Sequence, residues 1–448
     1  GVLRRRLRDV EASAGAVVVL EVASGAVRAL VGSPDFNDPR AGQVNGAMAP
    51  RAAGSTLKPF AYALALDRGL VTPATMLADV PLRFRDYDPE NFSRDFRGRV
   101  SVRDALVMSL NLPAIGILQR IGTERFHAVL RELGLATVSR PAEHYGLGLV
   151  LGSADVRLLD LANAYACLAR GGGWLPTRFT ETGAPPPAQP VFSPEACWLV
   201  SDMLSGDERA MDLTGHAADV RLPPMAWKTG TSAGQRDAWT VAWSPDVVVG
   251  VWIGNPDGAA SDDLIGRRAA TPVAWEVFRG LHPDNAGRAF ARPAGVVPRE
   301  VCAVSGCVPG RHCTRCVTDW SIERVSRHQP CGVHRNGPGA EWPAAVAAFL
   351  NRRPEPDEPS PADSLCILSP ARNSVFRQMP GDDGRWQRLA LDAAASGTGE
   401  MLHWFVNDRP VGRSRPGQPL FWPLERGTHQ IVCATAAGFS DRVQIDVE

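Results

Sequence analysis

Lysine is almost absent from this 448-residue chain. Of its 48 lysine and arginine residues, only Lys58 and Lys228 are lysine. Arginine can replace lysine wherever only a positive charge is needed, but a guanidinium stays protonated at neutral pH. A position that keeps lysine in such a chain is therefore a candidate for chemistry in which an amine loses its proton.

The chain also lacks an excess of charge of either sign, with 48 basic and 48 acidic residues. Because no basic excess exists to neutralise phosphates, we expect no nucleic acid partner. No apolar run approaches the ~20 residues that span a bilayer, and the start GVLRRRLRDV lacks the apolar core of a signal peptide. We expect the chain as given neither to cross a membrane nor to carry its own targeting signal.

The sequence patterns predict an α+β domain with a central antiparallel sheet. Residues 16–32 contain two strand-like runs joined at Ser24-Gly25, which is a hairpin signal, and residues 225–254 form a three-stranded meander. Residues 101–118 are helical with a predicted break near Leu112-Pro113, and residues 155–170 have helical spacing. Helices that frame such a sheet define the α+β class, here over residues 16–300. Trp227, Trp239, Trp243 and Trp252 are predicted to be sheet core.

The composition changes after this domain. Residues 301–350 are rich in cysteine, and residues 351–363 are Pro-rich and polar, which predicts an extended linker. Residues 364–448 contain short strand-like runs that predict a small all-β sandwich domain.

The first chemical motif is Ser55-Thr-Leu-Lys58, which places a hydroxyl and an amine one helical turn apart. A serine hydroxyl needs a base at neutral pH, and a partly desolvated lysine with a lowered pKa can supply one. Alone, however, this motif is weak evidence, because a serine lies three positions before any given lysine by chance about once in twenty.

The second motif is Lys228-Thr229-Gly230-Thr231 on a predicted strand, where the glycine leaves the backbone open to a ligand and the hydroxyls can bind a carboxylate. The tripeptide Ser109-Leu110-Asn111 lies between the two motifs in sequence. Both lysines of the chain therefore belong to one ordered set of three short motifs.

This set resembles the S-x-x-K, S-x-N and K-T-G signatures of the penicilloyl-serine transferase family. The stretches GQVNGAMAPRAAGSTLKPF, YGLGLVLGSADVRLLDLANAYACLARGG and WKTGTSAGQRDAW are similar to bifunctional class A penicillin-binding proteins. The later part resembles the 1C type, which ends in a small β-domain after a cysteine-bearing segment. The resemblance implies a β-lactamase-like fold and a D,D-transpeptidase that cross-links peptidoglycan without a cofactor or a catalytic metal.

The resemblance also implies a role for each motif residue. Ser55 would be the acylated nucleophile and Lys58 its general base, while Ser109 would relay the proton to the leaving amine with the help of Lys228. Asn111 would hold the bound peptide. The substrate carboxylate would be bound at Thr229, Gly230 and Thr231, and the backbone amides of Ser55 and Thr231 would form the oxyanion hole.

Class A proteins carry a membrane anchor and a glycosyltransferase domain before this region. Residues 1–15 resemble the linker that follows those parts, so we do not assign lipid II polymerisation to this chain. The resemblance implies a location on the periplasmic side of the inner membrane, with stem peptides as substrates and β-lactams as covalent inhibitors. The C-terminal β-domain is a candidate site for a protein partner.

The cysteine-rich segment has two interpretations. An extracytoplasmic compartment favours disulfides, whereas Cys313-Thr-Arg-Cys316 and three thiolates with His334 would suit zinc. The candidates are Cys302, Cys307, Cys313, Cys316 and Cys331. Of the two, disulfides are the preferred prediction.

Three other functions share the motifs or the fold. Class A β-lactamases add a water-activating glutamate, but residues 144–180 contain no glutamate, which argues against a lactamase. A D,D-carboxypeptidase would pass the acyl group to water instead of an amine. A catalytically weak scaffold or β-lactam sensor would recruit wall enzymes through the C-terminal domain.

Overall fold

The structure is a computed structural model of the chain. It describes residues 1–10, 12–39, 41–81, 89–92, 95–180, 183–205, 224–282, 287–335, 342–343, 346–347, 349, 365–370, 374–376, 388–395, 401–415, 418–435 and 440–447. The described residues up to 349 belong to one compact unit, and those from 365 onward belong to a second. The predicted linker at 351–363 lies outside the described residues.

The first unit mixes helices and strands. Its helices are α1 (Val2–Arg6), α2 (Lys58–Asp67), α3 (Val102–Val107), α4 (Asn111–Ile121), α5 (Thr123–Glu132), α6 (Ala142–Tyr145), α7 (Leu158–Ala169), α8 (Pro194–Leu204) and α9 (Gly266–Leu281). Its strands are β1 (Ala14–Glu21), β2 (Val27–Val31), β3 (Arg51–Ala52), β4 (Met76–Asp79), β5 (Gly98–Ser101), β6 (Asp155–Val156), β7 (Gly173–Trp174), β8 (Gln189–Pro190), β9 (Ala226–Thr231), β10 (Asp237–Trp243), β11 (Val247–Gly254), β12 (Val296–Cys302) and β13 (Cys316–Ile322).

A five-stranded antiparallel sheet in the order β2-β1-β11-β10-β9 forms the centre of this unit. Along β1, Val17 and Val19 face one apolar core, and the alternate residues Val18 and Leu20 face the other. Helix α7 covers one face of the sheet and α9 covers the other. Because both faces are covered, the strands read as continuous apolar runs rather than as alternating ones.

The main sequence-based predictions for this unit are confirmed: the hairpin of β1 and β2, the meander of β9 to β11, the helix at 158–169 and the central antiparallel sheet. The four tryptophans of the meander are all buried, with at most 2% of each residue exposed.

The predicted break at Leu112-Pro113 is wrong. Helix α3 ends at Val107 and α4 begins at Asn111, so the break lies at Met108–Leu110 and Pro113 stands inside the first turn of α4. Proline is tolerated there because a first-turn residue has no intrahelical acceptor for its missing N–H.

The N-terminal helix α1 packs on the rest of this unit. Helix α1 lies against α9, and Arg5 and Arg6 form ion pairs with Glu276 at 2.5 and 2.6 Å. In the part of the chain that the structure describes, no helix is long and apolar enough to cross a membrane.

The cysteine-rich segment forms an antiparallel pair of strands, β12 and β13, with loops around it. None of the eight cysteines whose side chains the structure describes forms a disulfide, and these include all five of this segment. The prediction of disulfides here is therefore wrong in this structure, and three of the five thiols, those of Cys302, Cys313 and Cys331, instead group around His334.

The second unit is all-β. Its strands are β14 (Leu365–Ser369), β15 (Ser374–Phe376), β16 (Arg388–Ala395), β17 (Leu402–Val406), β18 (Arg409–Ser414), β19 (Leu420–Pro423), β20 (Gly427–Thr435) and β21 (Ser440–Val447). They form one sheet in the order β14-β16-β19 and another in the order β15-β21-β20-β17-β18. Leu391 of the first sheet and Trp404 and Ile431 of the second belong to one apolar core, as in a small sandwich.

Candidate active site

Two close glycine contacts place Ser55. Residues 54–57 form a 3₁₀ turn that leads directly into α2. Gly54 has φ +54°, and a Cβ there would lie 2.5 Å from the Thr231 carbonyl oxygen. On its other side, a Cβ at Gly152 (φ +82°) would lie 2.0 Å from the Gly54 oxygen. Only glycine fits both positions, so the turn that carries Ser55 packs closely against the edge of β9.

Lys58 is the first residue of α2 and is fully buried. Its Nζ donates to the Ser109 carbonyl oxygen at 2.6 Å and to Asn111 Oδ1 at 2.7 Å. Neither acceptor is charged, so these two hydrogen bonds compensate the ammonium form only in part for the loss of water. Burial accordingly lowers the pKa of Lys58 to about 7.

Ser109 connects the two lysines of the chain. It lies between α3 and α4 with φ +58°, a backbone conformation that serine seldom adopts. Its carbonyl oxygen accepts from Lys58, and its Oγ accepts from Lys228 Nζ at 2.7 Å. Such a conformation costs about 1–3 kcal/mol and persists only where its surroundings enforce it.

Asn111 is held by a buried polar network that the motifs did not indicate. Its backbone N–H donates to Asn91 Oδ1 at 2.8 Å, and its Nδ2 donates to the Glu90 carbonyl oxygen at 2.6 Å. Asn91 Nδ2 in turn donates to Asp79 Oδ1 at 2.8 Å. Asp79 and Asn91 are both buried. No motif spacing marks them, so sequence reasoning had no signal for them.

Lys228 to Thr231 lie on β9, an edge strand of the central sheet. Ser232 N donates to the Asp237 carbonyl, and the next pair along the ladder is Thr231 with Ala238. Because bonded and non-bonded pairs alternate between antiparallel strands, the N–H and C=O of Thr231 point away from β10, toward the open edge. The turn of Ser55 packs against this edge.

Gly230 allows the close contact between β9 and that turn. A Cβ there would lie 2.6 Å from Thr56 Cγ2 and 2.8 Å from the Ala53 carbonyl oxygen. Thr229 is half-buried, and the Thr231 hydroxyl accepts from Gly266 N at 3.0 Å.

These elements surround one cleft of about 1120 Å³. Six of the eight predicted site residues line it: Ser55, Ser109, Asn111, Thr229, Gly230 and Thr231. The other two, Lys58 and Lys228, are buried behind this lining. Among the described residues none is hydrogen-bonded to the Ser55 hydroxyl, so the predicted pairing of Ser55 with Lys58 is a proximity along the turn and not a hydrogen bond here.

A central antiparallel sheet between helices, with the S-x-x-K, S-x-N and K-T-G residues around one cleft, defines the penicilloyl-serine transferase class of acyl-serine enzymes. Two family models match the chain: the penicillin-binding protein transpeptidase domain over residues 15–278, and the penicillin-binding protein C-terminus family over residues 357–445. The chain belongs to the penicillin-binding protein transpeptidase family.

Curated relatives support the same assignment. The chain is 31% identical over 445 residues to penicillin-binding protein 1C of Escherichia coli K12, which covers 88% of this chain and 56% of that protein. It is also 31% identical over 306 residues to penicillin-binding protein 1A of Neisseria meningitidis serogroup A, which covers 63% of this chain and 38% of that protein. The chain thus spans about half or less of the length of these relatives, and the predicted resemblance to class A proteins of the 1C type is confirmed.

Solved structures share the fold. Penicillin-binding protein 1A from Haemophilus influenzae matches with a TM-score of 0.60 and 20% identity, over 71% of this chain and 55% of that one. The PonA1 protein from Mycobacterium tuberculosis, in complex with penicillin V, matches with a TM-score of 0.55 and 23% identity, over 65% of this chain and 84% of that one.

Proposed function

We propose that this chain is a peptidoglycan D,D-transpeptidase in which Ser55 is acylated by a D-Ala-D-Ala stem peptide. The family assignment supports an acyl-serine enzyme in general, and the arrangement around Lys58 supports the specific reaction. A neutral amine has two N–H donors and one lone pair. The Ser109 carbonyl and Asn111 Oδ1 use two donors of Lys58, which leaves a lone pair that can accept the Ser55 proton.

This arrangement of Lys58 is the observation that carries the proposal. With a pKa of about 7, roughly half of the amine is neutral at neutral pH, whereas an exposed lysine would be almost entirely protonated. The absence of a hydrogen bond between the Ser55 hydroxyl and any described residue is compatible with this role, because catalytic hydrogen bonds commonly tighten only when substrate binds.

In the proposed acylation step, Ser55 Oγ attacks the carbonyl carbon of the penultimate D-alanine while Lys58 takes the Oγ proton. The oxyanion that forms is stabilised by the backbone N–H groups of Ser55 and Thr231. The latter N–H is suited to this role because it points to the open edge of β9.

The C–N bond then breaks. Ser109 Oγ gives its proton to the leaving D-alanine amine and takes up the proton that Lys58 received from Ser55, so Lys58 becomes neutral again. The Lys228 ammonium that donates to Ser109 Oγ stabilises the charge that develops on that oxygen during the transfer. An ester on Ser55 remains. The amine of a neighbouring stem peptide attacks this ester and loses a proton to Lys58. The ester C–O bond breaks, Lys58 returns the proton to Ser55 Oγ, and the new amide bond is the cross-link.

The remaining cleft residues would bind substrate. Asn111 would hold the acyl-side amide, and Thr229 and Thr231 would bind the terminal carboxylate on either side of Gly230. Peptidoglycan lies outside the cytoplasmic membrane, so we place this activity on the periplasmic side of the inner membrane. The same covalent chemistry makes β-lactams inhibitors, and the C-terminal β-unit is available for a protein partner.

The experiment is intact-mass measurement after incubation with penicillin. We expect one stable adduct, mapped to the peptide that contains Ser55 and lost in Ser55→Ala. Ser153→Ala is the matched control, since Ser153 also lines the cleft but belongs to none of the three motifs. An adduct that survives Ser55→Ala would contradict the assignment of the nucleophile.

A second assay separates the competing functions. A D-Ala-D-Ala donor is supplied with an acceptor amine, and the products are measured by mass spectrometry. A cross-linked product supports the transpeptidase, release of D-alanine with water as the only acceptor indicates a carboxypeptidase, and penicillin acylation without turnover indicates a scaffold or sensor.

A further inference from the structure

Three thiols and one imidazole meet in the cysteine-rich segment, on the same unit as the active site. The Sγ atoms of Cys302, Cys313 and Cys331 and the Nδ1 atom of His334 all lie within 4.8 Å of one another. His334 Nδ1 is 3.5 Å from Cys302 Sγ, 3.4 Å from Cys313 Sγ and 3.5 Å from Cys331 Sγ. One nitrogen is thus nearly equidistant from three sulfurs.

These distances fit a tetrahedral metal centre. With Zn–S bonds of ~2.3 Å and a Zn–N bond of ~2.05 Å, a tetrahedron has S···N edges of about 3.6 Å. The three observed S···N distances are within about 0.2 Å of that value. A disulfide would join only two of the three sulfurs and would leave the third thiol unbonded beside His334. The structure has no disulfide among these three cysteines.

We propose that Cys302, Cys313, Cys331 and His334 bind one Zn²⁺ in a closed, four-coordinate structural site. Thiolates with an imidazole in tetrahedral geometry select zinc over the hard cations that oxygen ligands bind. Because protein atoms occupy all four positions, the site has no place for a water molecule and is structural, not catalytic. Binding releases the protons of the three thiols.

Further hydrogen bonds to the sulfurs suit such a site. Gly310 N donates to Cys313 Sγ at 3.3 Å, and Ser305 Oγ donates to Cys331 Sγ at 3.2 Å. Donors of this kind orient metal ligands and stabilise thiolate charge. Cys316, the other member of the C-x-x-C pair, is exposed at the start of β13 and is not in the group, so the spacing of that pair identified only one ligand.

The segment needs such a cross-link. Among the described residues of 301–335, the buried hydrophobic side chains are only those of Val301, Cys302 and Ile322. Segments with so little apolar core are commonly stabilised by disulfides or a structural metal.

The proposed metal would also hold the segment against the body of the unit. Met76 N donates to the Ser305 carbonyl at 3.4 Å, Ala74 N donates to Asp319 Oδ2 at 2.9 Å, and Arg327 N donates to the Gly69 carbonyl at 3.2 Å. All three contacts reach residues 69–76, which run from the loop after α2, the helix that begins at Lys58, to the first residue of β4.

The test is the zinc content of the purified full chain, measured by elemental mass spectrometry. We expect one zinc per chain in the wild type, and none or a minor fraction in Cys313→Ser, Cys331→Ser and His334→Ala. Cys307→Ser and Cys316→Ser are matched controls from the same segment and should keep the metal. Each ligand variant should also have a lower Tm than the two controls.

A measurement on the unmodified protein keeps the proposal testable if the ligand variants do not fold. A mercurial reagent that modifies thiols should release one zinc per chain to a colorimetric indicator. Cobalt exchanged into the site should give the ligand-field bands of a tetrahedral centre with thiolate charge transfer. A chain that takes up no zinc, a disulfide among the three ligand cysteines, or equal metal loss from Cys307→Ser and Cys313→Ser would overturn the proposal.

Discussion

Replacing Lys58 by arginine tests the proposed mechanism at its first step. The change keeps the positive charge and the ability to donate to Ser109 and Asn111, but a guanidinium has no lone pair that accepts a proton. At pH 7 a lysine with a pKa of about 7 is roughly half neutral, whereas an arginine with a pKa above ~12 is neutral in fewer than about one molecule in 10⁵.

The expected loss follows from the value of general-base catalysis, about 10² to 10⁴ in rate, or ~3 to 5 kcal/mol in the activation barrier. The assay is the second-order rate constant for acylation by a fluorescent penicillin. We expect this rate constant to be lower by that factor in Lys58→Arg. Any acylation that proceeds without a base sets the lowest value that the rate constant can reach.

Lys228→Arg is the matched control. Lys228 is as buried as Lys58, so the larger guanidinium brings a similar packing penalty of about 1–3 kcal/mol at either position. At position 228 the side chain donates to Ser109 Oγ and to the Thr229 carbonyl, and the mechanism does not require it to accept a proton, so a guanidinium can keep these contacts. We expect a loss of about 10-fold to 100-fold. If Lys58→Arg stayed within tenfold of the wild type, Lys58 would not be the base.

Three further predictions follow from the site. The acylation rate should rise about tenfold per pH unit below pH ~7 and level off above it, because the Lys58 amine, with its pKa lowered to about 7, becomes able to accept a proton; a flat profile from pH 5 to 8 would contradict this. Gly54→Ala should lower the Tm and slow acylation, since its Cβ would meet the β9 backbone, whereas Gly116→Ala, whose Cβ meets nothing within 4 Å, should raise the Tm slightly; equal effects of the two changes would refute the packing argument. Asn91→Ala should slow acylation about tenfold, because one lost hydrogen bond to Asn111 costs ~1–3 kcal/mol, and an unchanged rate would show that Asn111 needs no such support.

The sequence was informative where chemistry depends on short spacings. Ser55 and Lys58 are close in the chain, and alternation along a strand relates Lys228 to Gly230, so local geometry alone places each pair. The scarcity of lysine supports the motif assignment independently of spacing, because both lysines of the chain lie within the motifs. The central sheet could also be predicted from the sequence, since its strands are β-branched runs between turn residues.

Sequence reasoning failed where distant segments meet. The support of Asn111 by Asn91 and Asp79 joins a loop to a strand and a helix, and no periodic pattern encodes that contact. Similarly, the prediction of disulfides depends on an oxidising compartment. The compartment carries no information on which cysteines meet, and the sequence does not reveal that three sulfurs lie around one imidazole. Both features depend on tertiary packing and not on local propensity.

The misplaced helix break shows how the position of a proline should be interpreted. A proline in a helix removes the hydrogen bond to the carbonyl four residues earlier, and its ring clashes with that carbonyl. For Pro113 that carbonyl belongs to Ser109, so the conflict lies at Ser109 and not at the proline itself. The chain leaves the helix there, in a left-handed conformation.

This break has a chemical consequence. Because Pro113 has no N–H to offer, the Ser109 carbonyl is not used by a continuing helix and is instead the acceptor for Lys58 at 2.6 Å. The left-handed backbone of the same residue turns its hydroxyl to Lys228 at 2.7 Å. In a straight helix through residues 102–121 this carbonyl would clash with the Pro113 ring, whereas the break at Ser109 leaves it able to accept from buried Lys58. The strain at Ser109 is therefore what allows one residue to contact both lysines of the chain.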